Sequence, residues 1–346
     1  HVIGAWDIYE HSGDIGFIES VYEPYFKPLF WNGINNHWGA RYDAADCLKK
    51  MAVLTGNSSD VEHWHAVGEV DNLESWMNSE WERATPDYWG NTAPAIYPPG
   101  SDDRALFWTG MAYMRNTWFP EDWARRMTET WAVNTEIGFN GPVPPTLVAM
   151  QDVDHTFPSF AAAPDLAYYS IIGMYSRNVG RNANVMGLGH LKNYNLQWGI
   201  PVAPESYDSD WEIWGDQYSN FNAGKILIIL NGMAGLDYSI PDRSFQVCDH
   251  MPEEWSFMEL KVPVTQPGQT DWVDVRIDRN DLGDGLVEKT ITVGGNPLET
   301  LLIQPWLEEK ALINSPDEGD AEAPTGHLSY TFDNTAEAQV TIRVQE

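Results

Sequence analysis

The chain has 346 residues, 43% of them hydrophobic, and carries 51 acidic against 20 basic side chains, a formal net charge of −31. A field of that sign repels phosphate backbones and anionic lipid, which argues against nucleic acid and membrane surfaces as partners, and no run of about 18 apolar residues offers a membrane-spanning helix. The length exceeds what one hydrophobic core ordinarily serves, so two structural units are expected.

The chain starts at His1-Val2-Ile3 without an initiating Met and reads as the interior of a longer precursor, whose remainder would be one partner. From Asp14 the apolar residues Ile15, Ile18, Tyr22, Tyr25 and Leu29 recur at three and four positions, the stripe of an amphipathic helix that Pro24 and Pro28 should kink or stop. Ala44, Cys47, Leu48, Met51 and Ala52 make a second stripe, closed by Thr55-Gly56. Ser59-Asp60-Val61-Glu62 has the spacing of a capping box for a third helix, with a break near Gly68. His63 and His65 stand two apart on it and face different sides, which argues against a metal pair. Further helical patterns run through Phe107–Met114, Pro120–Trp131, Asp165–Tyr175 and Ala183–Trp198, and a last one through Asn220–Leu236 holds a run, 226–230, that reads as buried all round.

Past Gly235 the period changes from near 3.6 to 2. Val273/Val275/Ile277, Val287/Lys289/Ile291/Val293, Leu328/Tyr330/Phe332 and Ala338/Val340/Ile342/Val344 each alternate, and Gly294-Gly295-Asn296 has hairpin chemistry. The expected organisation is a helical domain over 1–238 and a β-rich domain over 239–346. The cysteines, Cys47 and Cys248, fall in different units, and the sequence leaves both the free and the bridged state open. The sequon Asn57-Ser58-Ser59 fits an extracellular, secreted setting.

Gly199–Phe221 concentrates chemistry. It carries Glu205, Asp208, Asp210, Glu212 and Asp216 interleaved with Tyr207, Trp211, Trp214 and Tyr218, with Glu205 in what reads as a Pro-bounded turn. Carboxylates serve as acid, base or hydroxyl acceptor while aromatic faces stack on sugar rings, so carbohydrate is the partner this composition suits. No phosphate-binding glycine loop, dinucleotide fingerprint, Cys/His zinc spacing or Gly-x-Ser-x-Gly elbow is present. No cofactor is expected, although Asp152, Asp154, Asp208, Asp210 and Asp216 offer oxygen ligands for a structural calcium.

Successive helical patterns, the segment Pro204-Glu205-Ser206-Tyr207 ahead of the last helix, and the β-rich tail resemble the six-hairpin, or (α/α)6-toroid, glycoside hydrolases of the trehalase and processing α-glucosidase group. The resemblance covers residues 1–240. It implies a mainly α fold, an (α/α) helical-hairpin toroid with fewer hairpins than a closed ring and a β-rich C-terminal unit. It also implies Glu205 as general base. The group's general acid would fall in Asn32-Gly33-Ile34-Asn35-Asn36, where this chain has an amide that cannot donate a proton at neutral pH. Asp43 is the nearest substitute acid and Asp46 lies close to it, while a carboxylate at the start of a helix equally suits the helix dipole. Trp38, Arg41, Tyr207, Trp211, Trp214 and Tyr218 would bind the sugar. There are two alternatives: a non-catalytic glycan-binding or extracellular structural protein, and a polysaccharide lyase using His37, Arg41 and Tyr42.

Overall fold

The computed structural model describes, with side chains, residues 1–34, 41–68, 72, 75, 171–176, 180, 183–184, 187–188, 191, 224–266, 268–306 and 328–344, and the backbone alone at 40, 161–162, 203–208, 213–218, 220–223, 311–314 and 345.

Helix α1 (Val2–Ser12) ends at Gly13, whose left-handed φ of 66° lets its N–H reach back to the Tyr9 carbonyl at 2.7 Å. Asp14 then caps α2 (Ile15–Val21) by accepting the Phe17 N–H at 3.0 Å. The two prolines do not stop the chain. The helix widens into a π-turn over Tyr22–Phe26 and continues as α3 (Lys27–Phe30). Pro24 has no N–H to donate and its ring collides with the carbonyl four residues back in a regular helix, and the wider turn relieves both. The extra residue rotates everything after it. Ile18 and Tyr22 are fully buried, as the stripe predicts, but Tyr25 and Leu29 emerge 65% and 68% exposed, and Phe26 and Phe30 pack inward instead.

Helix α4 (Ala40–Leu54) buries the whole predicted stripe from Ala44 to Ala52. A fully buried Leu48 or Met51 contributes on the order of 1.5–3 kcal/mol. The helix closes at Gly56, with the Asn57 N–H on the Ala52 carbonyl at 2.7 Å. Helix α5 (Val61–Val67) follows a short 3-10 turn and stops at Gly68. The capping box does not form, because Ser59 lies inside the 3-10 turn Ser58–Asp60 and α5 starts only at Val61, with no side-chain cap; Asp60 turns inward. Its carboxylate accepts the Tyr22 hydroxyl at 2.9 Å and the Lys27 ammonium at 2.7 Å, while Trp64 Nε1 donates to the same Tyr22 oxygen at 2.9 Å. A buried carboxylate is tolerated only with such partners.

Residues 171–176, 183–184, 187–188 and 191 are helical. A small antiparallel sheet comprises β1 (Ala161–Ala162), β2 (Ala203–Asp208) and β3 (Ile213–Tyr218). Helix α6 (Asn220–Leu227) passes into a second π-turn, Ile228–Met233. The run 226–230 is not buried all round: Ile226 is 58% exposed whereas Ile228 is fully buried, since only one side of this helix meets the core.

From β4 (Leu236–Ser239) onward the chain builds a sandwich from β5 (Ser244–Asp249), β6 (Phe257–Gln266), β7 (Gln269–Gly283), β8 (Leu286–Gly294), β9 (Thr300–Pro305), β10 (Ala311–Asn314), β11 (Tyr330–Asp333) and β12 (Glu337–Gln345). One sheet has the order β10-β12-β8-β7-β6 and the other β11-β9-β5-β4, with β5 and β9 parallel. The alternating residues Val273, Val275, Ile277, Val287, Ile291, Val293, Val340, Ile342 and Val344 fill the space between the sheets. Lys289 shares that inward parity and finds Asp249, fully buried, at 2.9 Å; the Asp249 carboxylate also accepts the Met251 N–H at 2.7 Å. The Gly294-Gly295-Asn296 hairpin does not form. The chain there leaves one sheet for the other, with Asn296 bridging the Leu298 and Thr335 carbonyls. The tight two-residue turn lies instead at Asp284-Gly285, where both residues have positive φ and Gly283 pairs with Leu286.

The mainly α toroid is therefore corrected. Among the described residues, twelve strands in three sheets accompany six short α-helices. A 3.6-residue stripe says that one side of a helix is covered but not by what. Here α1 docks on strands: its Glu10 carbonyl accepts the Ile240 N–H at 2.8 Å, and His11 lies edge-on to Tyr238 at 4.8 Å and 3.8 Å from the Asp237 carboxylate.

Candidate functional site

Glu205 lies on a strand, not in a Pro-bounded turn. In β2, Ala203 pairs with Tyr218, Pro204 with Gln217, Ser206 with Trp214 and Tyr207 with Ile213, and the register slips between Pro204 and Ser206. Glu205 on β2 thus faces two residues, Gly215 and Asp216, on β3. This is a β-bulge, which bends the strand and changes the direction in which a residue is presented. On the other side β1 pairs only with Tyr207 and Asp208, so no β1 residue pairs with Pro204, whose missing N–H breaks no ladder there. By register Glu205, Tyr207, Asp216 and Tyr218 fall on one face of the hairpin, whereas Trp214, paired with Ser206, falls on the other. Trp211, in the connection, lies outside the described residues, as do His37, Trp38, Asp152 and Asp154.

Arg41, Tyr42 and Asp43 occupy the first turn of α4. Asp43 is half-buried there, where a negative charge gains about 0.3–1 kcal/mol from the helix dipole. The Arg41 guanidinium sits 5.3 Å from the centre of the buried Tyr42 ring. Asp46 is held by Lys49 at 3.1 Å and Lys50 at 3.0 Å. Burial pushes the Asp46 carboxyl up, but the two ammonium groups outweigh it and hold it below the usual carboxylate range. Asp46 therefore stays ionised at neutral pH and is unsuited to proton donation.

Cys47 and Cys248 form no disulfide. Burial raises each thiol to about 12, so neither is a nucleophile at neutral pH. Among the described residues no group of His, Cys, Asp and Glu is arranged to hold a metal ion, and no helix is long and apolar enough to cross a membrane. His63 stacks on Trp31, 3.6 Å between ring centres, with Nε2 2.8 Å from the Trp31 carbonyl oxygen.

Three buried charged groups escape a reading of the sequence for chemistry. Asp60 is one and the Asp249–Lys289 pair another; a lysine at the inward parity of an otherwise apolar strand was the available signal for the pair. The third is Lys225, 8% exposed on α6 just after the hairpin, whose ammonium burial shifts to lower pKa.

No protein-family model matches the sequence, and no curated protein matches it. Among solved structures the chain is similar to an α-L-rhamnosidase from Streptomyces avermitilis in complex with L-rhamnose, at 10% identity and a TM-score of 0.42, over 97% of this chain and 32% of that one. It is also similar to a GH127 β-arabinofuranosidase, at 7% identity and a TM-score of 0.25, over 100% of this chain and 70% of that one. The chain thus spans about a third of the length of the rhamnosidase. Both neighbours are glycoside hydrolases by name, and neither is of the trehalase or processing α-glucosidase group. Likenesses this loose establish neither a shared site nor a shared substrate.

Proposed function

We propose that the chain is a carbohydrate-active protein, extracellular in setting, that hydrolyses a glycosidic bond at the β2–β3 hairpin. The observation that supports this is the register slip that leaves Glu205 opposite Gly215–Asp216 within a strand pair whose same face carries Tyr207 and Tyr218. Glycoside cleavage asks for a pair of carboxylates about 5–9.5 Å apart, one giving and one taking a proton or attacking, beside apolar surface for the sugar ring. Residues opposed across two neighbouring strands are near neighbours, which supports testing Glu205 and Asp216 as such a pair. Glu205 is the general base and Asp216 its partner; Asp43 is the other acid to test, with Trp38, Arg41 and Trp211 as further sugar contacts.

A purified protein turning over neutral oligosaccharides should lose about 10²–10⁴-fold in rate on Glu205→Gln. Asp216→Asn and Asp43→Asn identify the acid by which of them produces a comparable loss. Undiminished turnover in Glu205→Gln refutes the assignment. A second reading, glycan binding without cleavage, is favoured by the amides Asn35 and Asn36 and by the engagement of Asp46 with two lysines. It predicts binding without turnover in both the wild type and Glu205→Gln.

A further inference from the structure

The outer face of the five-stranded sheet holds a shallow cavity of about 620 Å³. The registers define its rows. Asp274 on β7, Gly294 on β8 and Glu337 on β12 lie side by side, and in the next row stand Glu259, Arg276, Thr292 and Gln339. Asp274 and Glu337 are two inter-strand spacings apart, about 10 Å, with the bare Gly294 backbone as the floor between them.

Gly294 is the informative residue. Gly294 closes β8 but is still paired with both Asp274 and Glu337, and a glycine at a paired strand position can mark a place where something approaches the backbone closely. Here neither a left-handed φ nor packing requires it, since a Cβ built on Gly294 meets nothing within 4 Å. Its neighbour Gly295 is different, having a φ of +76° and a Cβ position only 2.6 Å from the Trp272 carbonyl oxygen.

The walls are ordered rather than generic. Arg276 donates to Glu259 at 2.8 Å and through Nε and Nη2 to Asp278 at 2.8 and 2.7 Å, with its guanidinium 5.0 Å over the Phe257 ring. Two strand positions before Asp274, on the same side of the sheet, Trp272 is 52% exposed. The cavity therefore combines carboxylate acceptors, amide, hydroxyl and guanidinium donors and an adjacent indole, the set that hydrogen-bonds a polyol and covers its apolar face. Lys261, beside Asp274 in the same row, pairs with it at 3.3 Å, and Glu259, Asp274, Asp278 and Glu337 still outnumber Arg276 and Lys261, a balance that disfavours sulfated and uronate sugars.

From this juxtaposition we propose a second saccharide site: the Gly294 floor between Asp274 and Glu337, flanked by Trp272, binds a neutral sugar unit of a glycan chain. The site stands independently of the hairpin reading and serves binding, not cleavage.

The test uses the whole 346-residue chain in affinity electrophoresis and calorimetry against neutral polysaccharides and their oligosaccharides, with a uronate polymer and basic polypeptide as controls, in EDTA and in calcium. Gly294→Leu fills the cavity without touching the core, and Trp272→Ala removes the indole. Expected are retardation by at least one neutral glycan, a tenfold or greater loss of affinity in each variant, and full retention in Glu205→Gln, with any turnover of short substrates unchanged in Gly294→Leu. Circular dichroism and melting temperatures matching the wild type exclude misfolding as the cause. Failure of every neutral glycan to bind overturns the proposal. So does binding that survives Gly294→Leu, or a site that takes only calcium or only the basic polypeptide. Loss of turnover in Glu205→Gln with glycan retention intact would separate the two sites, whereas loss of both in that variant alone would also overturn it.

Discussion

Replacing Lys289 by Met tests the account of the sandwich core most directly. The Lys289 side chain is 7% exposed and donates at 2.9 Å to Asp249, which is 0% exposed and whose only other hydrogen bond described is the Met251 N–H. Met preserves most of the volume, so the loss comes from stranding a buried carboxylate, which costs about 3–5 kcal/mol. Against a total stability of about 5–15 kcal/mol that is a large fraction. With a urea slope of about 2 kcal/mol per molar, it moves the unfolding midpoint down by roughly 2 M. The assay is a urea melt followed by fluorescence and circular dichroism on Lys289→Met, Asp249→Asn and the double variant. Asn keeps an acceptor for the Met251 N–H, so in the double variant no charge is stranded. It should recover at least about 2 kcal/mol relative to the sum of the single losses. A Lys289→Met cost below about 1 kcal/mol, or strictly additive losses, refutes the argument that charge burial governs this site.

The Asp60 network gives a pH dependence. Burial pushes the Asp60 carboxyl up, but hydrogen bonds from Lys27 and Tyr22 outweigh it, so its folded pKa lies below the unfolded value of about 3.9. Its contribution is present above that value and is lost as pH falls through the folded pKa, so Asp60→Asn should flatten stability against pH below about 4 while lowering it at neutral pH; parallel acid limbs for the two proteins would contradict this. Cys47, buried and with its thiol raised to about 12, should not react with a thiol reagent at about pH 8 until the chain is unfolded, and the half-buried Cys248 should react faster than it; fast labelling of native Cys47 would show the burial to be wrong. Gly235 has a φ of +56° and its Cβ position collides with the Cys248 carbonyl, so Gly235→Ala should lower the melting temperature sharply. Gly4, exposed within α1 with nothing within 4 Å of its Cβ position, should instead be stabilised by Ala by up to about 1 kcal/mol; equal effects at the two positions would count against both assignments.

What local patterning controls was legible. The α4 stripe, its stop at Gly56, and the inward parity of Val273–Ile277 and Val287–Val293 follow from side-chain period alone, because a helix or strand exposes its own geometry in the spacing of its apolar residues. Glu205 and its aromatic neighbours could be singled out by composition. What those elements pack against could not. The π-turn at Tyr22–Phe26 moved the buried stripe from Tyr25 and Leu29 to Phe26 and Phe30, because one residue added to a turn rotates all the later ones. Asp60 lay inside a predicted capping box and became the buried partner of Tyr22 and Lys27, a role set by residues more than 30 positions away. Helix α1 packs on α2 and α4 and at its end also meets Ile240 and Tyr238, a partner its own stripe could not specify. The candidate site divides the same way. Sequence determined which side chains are available, whereas the opposition of Glu205 to Asp216 and the row joining Asp274, Gly294 and Glu337 depend on strand register, which only tertiary pairing sets.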